Sequence, residues 1–201
     1  MPQTDLPPPP EPLMQGYRML NARPEPNVRD RYTFVHVVQG EYAVSDQPDT
    51  ILTTILGSCV STCICDPVAR VGGMNHFLLP DSGPGNGQQF RYGLYAMELL
   101  INGLLKKGAS KDRLEAKLFG GATMNDGLGR IGAANAAFAQ RFLSDEGIRC
   151  VAQSLGGTRA RRVRFTPTTG HAQQLIVQPD ALTPQPPPRV PPRNDDDVTF
   201  F

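Results

Sequence analysis

The sequence has no run of apolar residues long enough to cross a bilayer, which takes about 20 in succession. Its first thirty residues also lack the apolar centre of a secretory signal peptide. Together these absences predict a protein that stays in the cytoplasm and does not insert into a membrane.

The sequence also has little net charge, +1 at pH 7. Nucleic acids and anionic membrane surfaces select strongly basic partners. Neither is therefore expected to bind this chain.

Cysteine is scarce, with four residues at positions 59, 63, 65 and 150. In a reducing cytoplasm these thiols stay free, which excludes a disulfide framework. Each cysteine must then be explained by packing, metal binding or reactivity.

Core-forming residues are scarce at both ends, where most of the twenty prolines lie. Segments rich in proline and charge do not bury enough apolar surface to fold. We therefore expect tails at 1–30 and 179–201 and one folded domain at 31–178. The C-terminal tail ends in acidic residues followed by two phenylalanines, a composition that would suit a docking peptide.

Apolar periodicity within 31–178 predicts strands and two helices. The strands are expected at 33–44, 51–56, 60–65, 71–79, 114–119, 148–154, 161–165 and 172–177. The helices are expected at 90–107 and 132–146, and a loop at 80–89 precedes the first. Strand pairs separated by single helices indicate an α+β (mixed α/β) domain.

A hairpin in the middle of the domain carries the candidate chemistry. If Pro67 and Val68 are the central turn residues, Cys59 lies directly opposite His76. Their Cβ atoms would then be about 5 Å apart on one face of the sheet. A bulge at the turn would break this register.

A thiol beside an imidazole can act as a nucleophile, because the imidazole takes the proton of the thiol. Gly57 and Ser58 suit a tight turn whose N–H groups could stabilise an oxyanion. Thr53, which shares strand parity with Cys59, could orient the imidazole. The alternative is that Cys59 and His76 are ordinary buried residues.

A zinc site is the competing chemistry, since Cys59, Cys63, Cys65 and His76 are all potential ligands. Along a strand, however, Cys59 and Cys63 would be about 13 Å apart. Zinc ligands lie within about 2.3 Å of one ion. We therefore interpret Cys63 and Cys65 as packing residues and predict no metal.

These motifs resemble the chemoreceptor glutamine deamidases of the CheD family. The resemblance covers about residues 39–177, in order. It is carried by the segments Thr53 to Cys63, Gly72 to Ser82, Leu114 to Ala122, Ile131 to Asn135 and Gly156 to Arg161. Asn75 stands where relatives commonly have alanine, and the proline-rich tails are additional.

The resemblance implies a fold in which sheets in a sandwich-like arrangement are flanked by two main helices. It implies hydrolysis of selected glutamine side chains in the cytoplasmic part of chemotaxis receptors, without a cofactor. The family's catalytic cysteine and histidine fall on Cys59 and His76, and its threonine on Thr53, with the adjacent Thr54 as an open alternative. Relatives also bind CheC-type phosphatases, so a non-catalytic adaptor is the rival function.

Two further features remain open from the sequence. Gly120 and Gly121 could lie close to the substrate or simply form a tight strand-end turn. Arg159 opens a basic cluster with Arg161, Arg162 and Arg164, which could dock an acidic receptor helix or form a solvated strand edge.

Overall fold

The computed structural model describes residues 18–19, 31–79, 87–123 and 129–177, with side chains described for 31–79, 91–123 and 131–177. Most of both predicted tails, including the C-terminal peptide, and most of the loop at 80–89 lie outside the described residues. Among the described residues, no helix is both long and apolar enough to cross a membrane.

Ten strands and two α-helices make up the described part of the chain. The strands are β1 (Arg18–Met19), β2 (Thr33–His36), β3 (Glu41–Ser45), β4 (Thr50–Leu56), β5 (Val60–Asp66), β6 (Val71–His76), β7 (Glu115–Gly120), β8 (Arg149–Leu155), β9 (Arg161–Thr166) and β10 (His171–Ile176). The helices are α1 (Gly87–Lys106) and α2 (Gly129–Asp145). Strand β1 falls within the segment that composition assigned to the N-terminal tail.

The strands form two sheets. A six-stranded sheet has the order β1-β3-β6-β5-β7-β8, and a four-stranded sheet has the order β10-β9-β4-β2. Most neighbours are antiparallel, while β1–β3, β7–β8 and β2–β4 are parallel pairs. The α+β prediction and the sandwich of sheets with two main helices are confirmed.

Two apolar layers hold these elements together. One lies between the helices and the six-stranded sheet, and includes Ile64, Phe77 and Leu100. The other lies between the two sheets, and includes Leu52 and Met74. Every residue of β5 is buried because this strand is covered on both faces.

Cys63 and Cys65 belong to the layer between the sheets, as their interpretation as packing residues predicted. Burial raises the pKa of Cys63 to about 12 and that of Cys65 to about 11. Both thiols are therefore protonated at neutral pH. No group of three or more His, Cys, Asp or Glu side chains in the described ranges could hold a metal ion.

The prediction of one strand over 33–44 is wrong. Strands β2 and β3 belong to different sheets, and a turn at 38–41 separates them. Gly40 has φ +84°, which glycine adopts without steric cost. The chain therefore leaves one sheet and enters the other within four residues.

The predicted register of the central hairpin is also wrong. Asp66 pairs with Val71, so four residues form the loop, and Val60 comes opposite Phe77. Continued by one residue, this register places position 59 opposite Leu78 rather than opposite His76. A shift of two residues preserves side-chain parity, so Cys59 and His76 still share a face as diagonal neighbours.

Asp66 sets this longer loop. Its buried carboxylate accepts hydrogen bonds from the N–H groups of Val68, Ala69 and Ser110, each at 2.9 Å. It also pairs with Arg113 at 2.7 Å. Burial alone would raise the pKa of Asp66, but Arg113 and the three N–H donors lower it well below its usual range.

We predict that Asp66→Asn lowers the free energy of unfolding by about 2–4 kcal/mol, because Arg113 loses its partner and buried donors lose a charged acceptor. The folded-state pKa lies below the unfolded value of about 3.9. The contribution of ionised Asp66 to the free energy of unfolding is therefore complete above the unfolded-state pKa, and it is lost as pH falls through the folded-state pKa. Urea unfolding at neutral and acidic pH measures both effects.

The matched control is Asp112→Asn, which removes an exposed carboxylate from the neighbouring 3-10 turn, Lys111–Arg113. Its effect should stay within about 0.5 kcal/mol. Equal effects of the two substitutions at neutral pH would contradict the role assigned to Asp66.

Candidate active site

His76 ends strand β6, with its side chain directed between the two sheets. It shares this face with Met74, and it is only 6% exposed. Its Nδ1 lies 2.9 Å from Oγ1 of Thr54 and 3.3 Å from the carbonyl oxygen of Val37. Because Thr54 belongs to β4, this contact joins the two sheets.

The hydrogen bonds around His76 determine which ring nitrogen carries the proton. The hydroxyl of Thr54 donates its one proton to the carbonyl of Val37, at 2.7 Å. That hydroxyl can then only accept from His76, and so can the carbonyl. We therefore assign the proton to Nδ1, which leaves the lone pair on Nε2. Nε2 is buried and has no hydrogen-bond partner among the described residues.

The expectation that Thr53 orients the imidazole is wrong, and its open alternative Thr54 makes the contact. The hydroxyl of Thr53 donates instead to the carbonyl of Val163, at 2.9 Å. Even-numbered residues of β4, such as Leu52, face the other sheet, whereas Thr53 faces away from it. The alternation of Leu52, Thr54 and Leu56 could have found Thr54 from the sequence.

Cys59 lies in a turn whose backbone is held at three successive carbonyl groups. The carbonyls of Gly57 and Cys59 accept from the N–H groups of Ala122 and Gly121, both at 2.8 Å. The carbonyl of Ser58 accepts from Nδ2 of Asn135, at 3.0 Å. The N–H groups of Ser58 and Cys59 remain available, since neither donates to another residue in the described part of the chain.

Gly120 and Gly121 support this turn from behind. Both have positive φ, +112° and +68°. A Cβ atom at position 120 would lie 2.1 Å from the carbonyl oxygen of Cys59, which is far inside van der Waals contact. Gly120 is therefore needed for the close approach of the strand end to the turn, whereas a Cβ atom at position 121 would lie 2.9 Å from the carbonyl oxygen of Gly132 in α2. The proximity of either glycine to substrate stays a prediction.

Asn135 is a buried residue of the site that the sequence did not single out for a role. Its Oδ1 accepts from the N–H of Leu79 at 2.8 Å, while its Nδ2 holds Ser58. Helix α2 thereby links the turn before Cys59 to the segment after His76.

The thiol of Cys59 is half-buried, and it donates a hydrogen bond to Oε1 of Gln39 at 3.5 Å. It makes no hydrogen bond to Nε2 of His76. Burial raises the pKa of Cys59, and its own N–H opposes this only in part. Burial also lowers the pKa of His76. The resting pair at neutral pH is therefore a thiol and a neutral imidazole.

The four arginines of the basic cluster do not share one face of the sheet. Arg161 is 3% exposed, and its guanidinium donates to the carbonyls of Ser154 and Gly156, so its role is structural. Arg162 and Arg164 lie on the outer face of the four-stranded sheet. Strand β9 lies between β10 and β4, so the interpretation as a strand edge is wrong. Arg159 lies in the exposed loop before β9, and its proximity to substrate stays a prediction.

Comparison with known proteins identifies relatives over most of the chain. Residues 78–174 match the family model described as "CheD chemotactic sensory transduction". A relative from Cereibacter sphaeroides, named "Probable chemoreceptor glutamine deamidase CheD", is 56% identical over 168 residues, 83% of this chain and 84% of the relative. A relative of the same name from Caulobacter vibrioides is 54% identical over 179 residues, 86% of this chain and 95% of its own.

A solved structure of a Neisseria meningitidis protein of the family DUF152 is similar at a greater distance. The TM-score is 0.42 at 10% identity, over 63% of this chain and 64% of the other. A likeness of this size carries no functional argument.

We predict that Asn135→Ala lowers the free energy of unfolding by about 2–3 kcal/mol, because it leaves the Leu79 N–H and the Ser58 carbonyl unpaired. Gln140→Ala, an exposed substitution on the same helix, is the control and should change it by less than about 0.5 kcal/mol. Urea unfolding measures both. Hydrogen exchange of the Leu79 amide should also become faster in Asn135→Ala alone; unchanged exchange would argue against this anchoring role.

Proposed function

Because this chain belongs to the CheD family, we propose that it hydrolyses the side-chain amide of selected glutamines in the cytoplasmic domain of chemotaxis receptors. The reaction gives glutamate and ammonia. The observation that supports this proposal is a half-buried thiol at Cys59 that packs against the layer between the two sheets, where the neutral imidazole of His76 also lies with no partner for its Nε2 among the described residues.

The first half of the reaction forms a thioester. Rotation of the Cys59 side chain brings Sγ to Nε2 of His76, which takes the thiol proton. The thiolate attacks the carbonyl carbon of the substrate glutamine, and negative charge develops on the amide oxygen. The available N–H groups of Ser58 and Cys59 stabilise that oxyanion. The imidazolium returns its proton to nitrogen, and the C–N bond breaks to release ammonia.

The second half of the reaction opens the thioester with water. Nε2 of His76 takes a proton from the water, whose oxygen attacks the acyl carbon. The C–S bond then breaks, and the thiol is regenerated with the proton held by His76. The glutamic acid product loses the second proton of the water to solvent and leaves as a carboxylate. The product carries a negative charge that the substrate lacked, which changes the electrostatics of the receptor.

Thr54 orients the base in this mechanism. Its hydroxyl, with its own proton committed to the Val37 carbonyl, holds the Nδ1–H of His76. A hydroxyl stabilises an imidazolium less than a carboxylate does. The contribution of Thr54 is therefore the tautomer and the ring orientation, and turnover is modest.

Binding of a CheC-type phosphatase is compatible with this activity, because a docking surface need not include the thiol. An inactive Cys59 variant that still binds such a partner would separate the two functions.

We predict that Cys59→Ala abolishes deamidation of a receptor cytoplasmic domain, since Cys59 carries the one thiol at the site among the described residues. Mass spectrometry of receptor peptides measures the conversion of glutamine to glutamate. Cys150→Ala, which removes an exposed thiol on strand β8, should retain full activity. Undiminished conversion by a folded Cys59→Ala variant would refute the proposed function.

We predict that Thr54→Val lowers kcat by about 10- to 100-fold, equivalent to about 1.4–2.7 kcal/mol of transition-state stabilisation. Valine keeps the shape of threonine but cannot accept from Nδ1, so the imidazole keeps only the longer contact to the Val37 carbonyl and its ring is less firmly oriented. Thr53→Val is the matched control on the same strand, and should leave kcat within about twofold while lowering stability by about 1 kcal/mol. If Thr53→Val were the more damaging to kcat, the assignment of Thr54 would be wrong.

A further inference from the structure

The short segment between β2 and β3 is attached to the site at several points. The carbonyl of Val37 accepts from Thr54 and from His76. The N–H of Gly40 donates to the carbonyl of His76 at 2.8 Å, and the N–H of Glu41 donates to the carbonyl of Val38 at 3.1 Å. The turn at 38–41 is therefore held beside the catalytic histidine.

This turn presents Gln39 to the nucleophile. Gln39 is an exposed residue, yet its Oε1 accepts a hydrogen bond from the Cys59 thiol. A glutamine amide is the functional group that the proposed reaction attacks. In this structure the chain's own amide contacts the sulfur that a substrate amide would have to reach.

The direction of this hydrogen bond matters for reactivity. While Sγ–H donates to Gln39, its proton is directed at an amide oxygen rather than at Nε2 of His76, which has no partner among the described residues. A thiol held in this way is not activated, because the base does not contact the proton it must remove.

We propose that Gln39 is a positioning residue that holds Cys59 in a resting orientation and occupies the place of the substrate amide. Binding of a substrate glutamine displaces the Gln39 side chain, and the freed thiol turns to Nε2 of His76. Activation of the nucleophile is thereby coupled to occupation of the site. The part that concerns substrate rests on the proposed function, whereas the hold on the thiol does not.

Other titratable groups face Cys59 and must be kept constant in a test. His76 lies diagonally across the hairpin. Tyr92 of α1 is close enough that burial and the Cys59 charge both raise its pKa. Glu41, in the same turn as Gln39, directs its carboxylate to the N–H of Val38. Substitutions confined to position 39 leave these groups in place.

The test measures alkylation of Cys59 by iodoacetamide in the full-length chain, across a range of pH, with Cys150 in the same molecule as internal reference. Gln39→Met keeps the length of the side chain but removes the acceptor. We expect it to speed alkylation of Cys59 at pH 7 by about two- to threefold, because a thiol is a weak donor and its hydrogen bond is worth less than an ordinary one. The midpoint of the pH profile should shift to lower pH.

Two further variants separate the hydrogen bond from simple shielding. Gln39→Glu keeps an acceptor and adds a negative charge, so alkylation should become slower and the midpoint should rise. Gln47→Ala, in the neighbouring turn where its amide contacts Asp46, should leave both unchanged. If Gln39→Met leaves both rate and midpoint unchanged, or if Gln39→Met and Gln39→Glu change the rate equally without moving the midpoint, the proposed hold on the thiol is wrong.

Receptor deamidation tests displacement by substrate. Gln39→Met should lower KM by about two- to fivefold and leave kcat within twofold, because substrate no longer competes with an internal amide. A raised KM would overturn the displacement model. So would a Cys59-dependent mass increase of about 1 Da at Gln39, which would make Gln39 a substrate. Failure of the proposed function itself would appear separately, as deamidation that survives Cys59→Ala.

Discussion

The hydrogen bond between Thr54 and His76 is the interaction on which the site depends. It crosses the interface of the two sheets. The carbonyl of Val37, in the segment that connects β2 to β3, contacts both the Thr54 hydroxyl and Nδ1 of His76. Burial gives this arrangement its effect. In this buried interface the imidazole is neutral, and the acceptors on Thr54 and Val37 both favour the proton on Nδ1, which leaves the lone pair on Nε2. The chemistry of His76 is thus set by the stacking of the sheets.

The proposed nucleophile, Cys59, is positioned by different contacts. The turn at 57–59 is held through its carbonyl groups, by backbone N–H groups of the 121–122 segment and by Asn135. These carbonyl groups are engaged, whereas the N–H groups of Ser58 and Cys59 stay available for the oxyanion of the proposed mechanism. The turn approaches Gly120 so closely that no side chain fits at position 120, and the backbone of the turn packs directly against the backbone of the strand end.

Much of this could be predicted from sequence. The two helices, the final hairpin of β9 and β10, and the class of the fold follow from apolar periodicity, which the packed layers then satisfy. The placement of Cys59 and His76 on one face of a hairpin also followed, although by a register two residues in error. Parity survives such an error because the side-chain period of a strand is two residues.

What escaped prediction depends on contacts between distant segments. The hairpin register depends on Asp66, whose carboxylate engages Ser110 and Arg113 as well as its own loop. The break between β2 and β3 occurs because Gly40 allows the chain to change sheets, a choice that local propensity does not reveal. Gln39 and Asn135 carried no recognisable spacing, since each acts on a residue at least twenty positions away.

The long-range origin of the site has a consequence during synthesis. The base is in one sheet and its hydroxyl partner is in the other, while the turn that bears the sulfur is tied to α2. Strand β4 in turn pairs with β9, close to the end of the described domain. A nascent or partly opened chain therefore contains Cys59 and His76 but lacks the contacts that position them. On the proposed mechanism, competence to attack amides therefore arises only with completion of the fold.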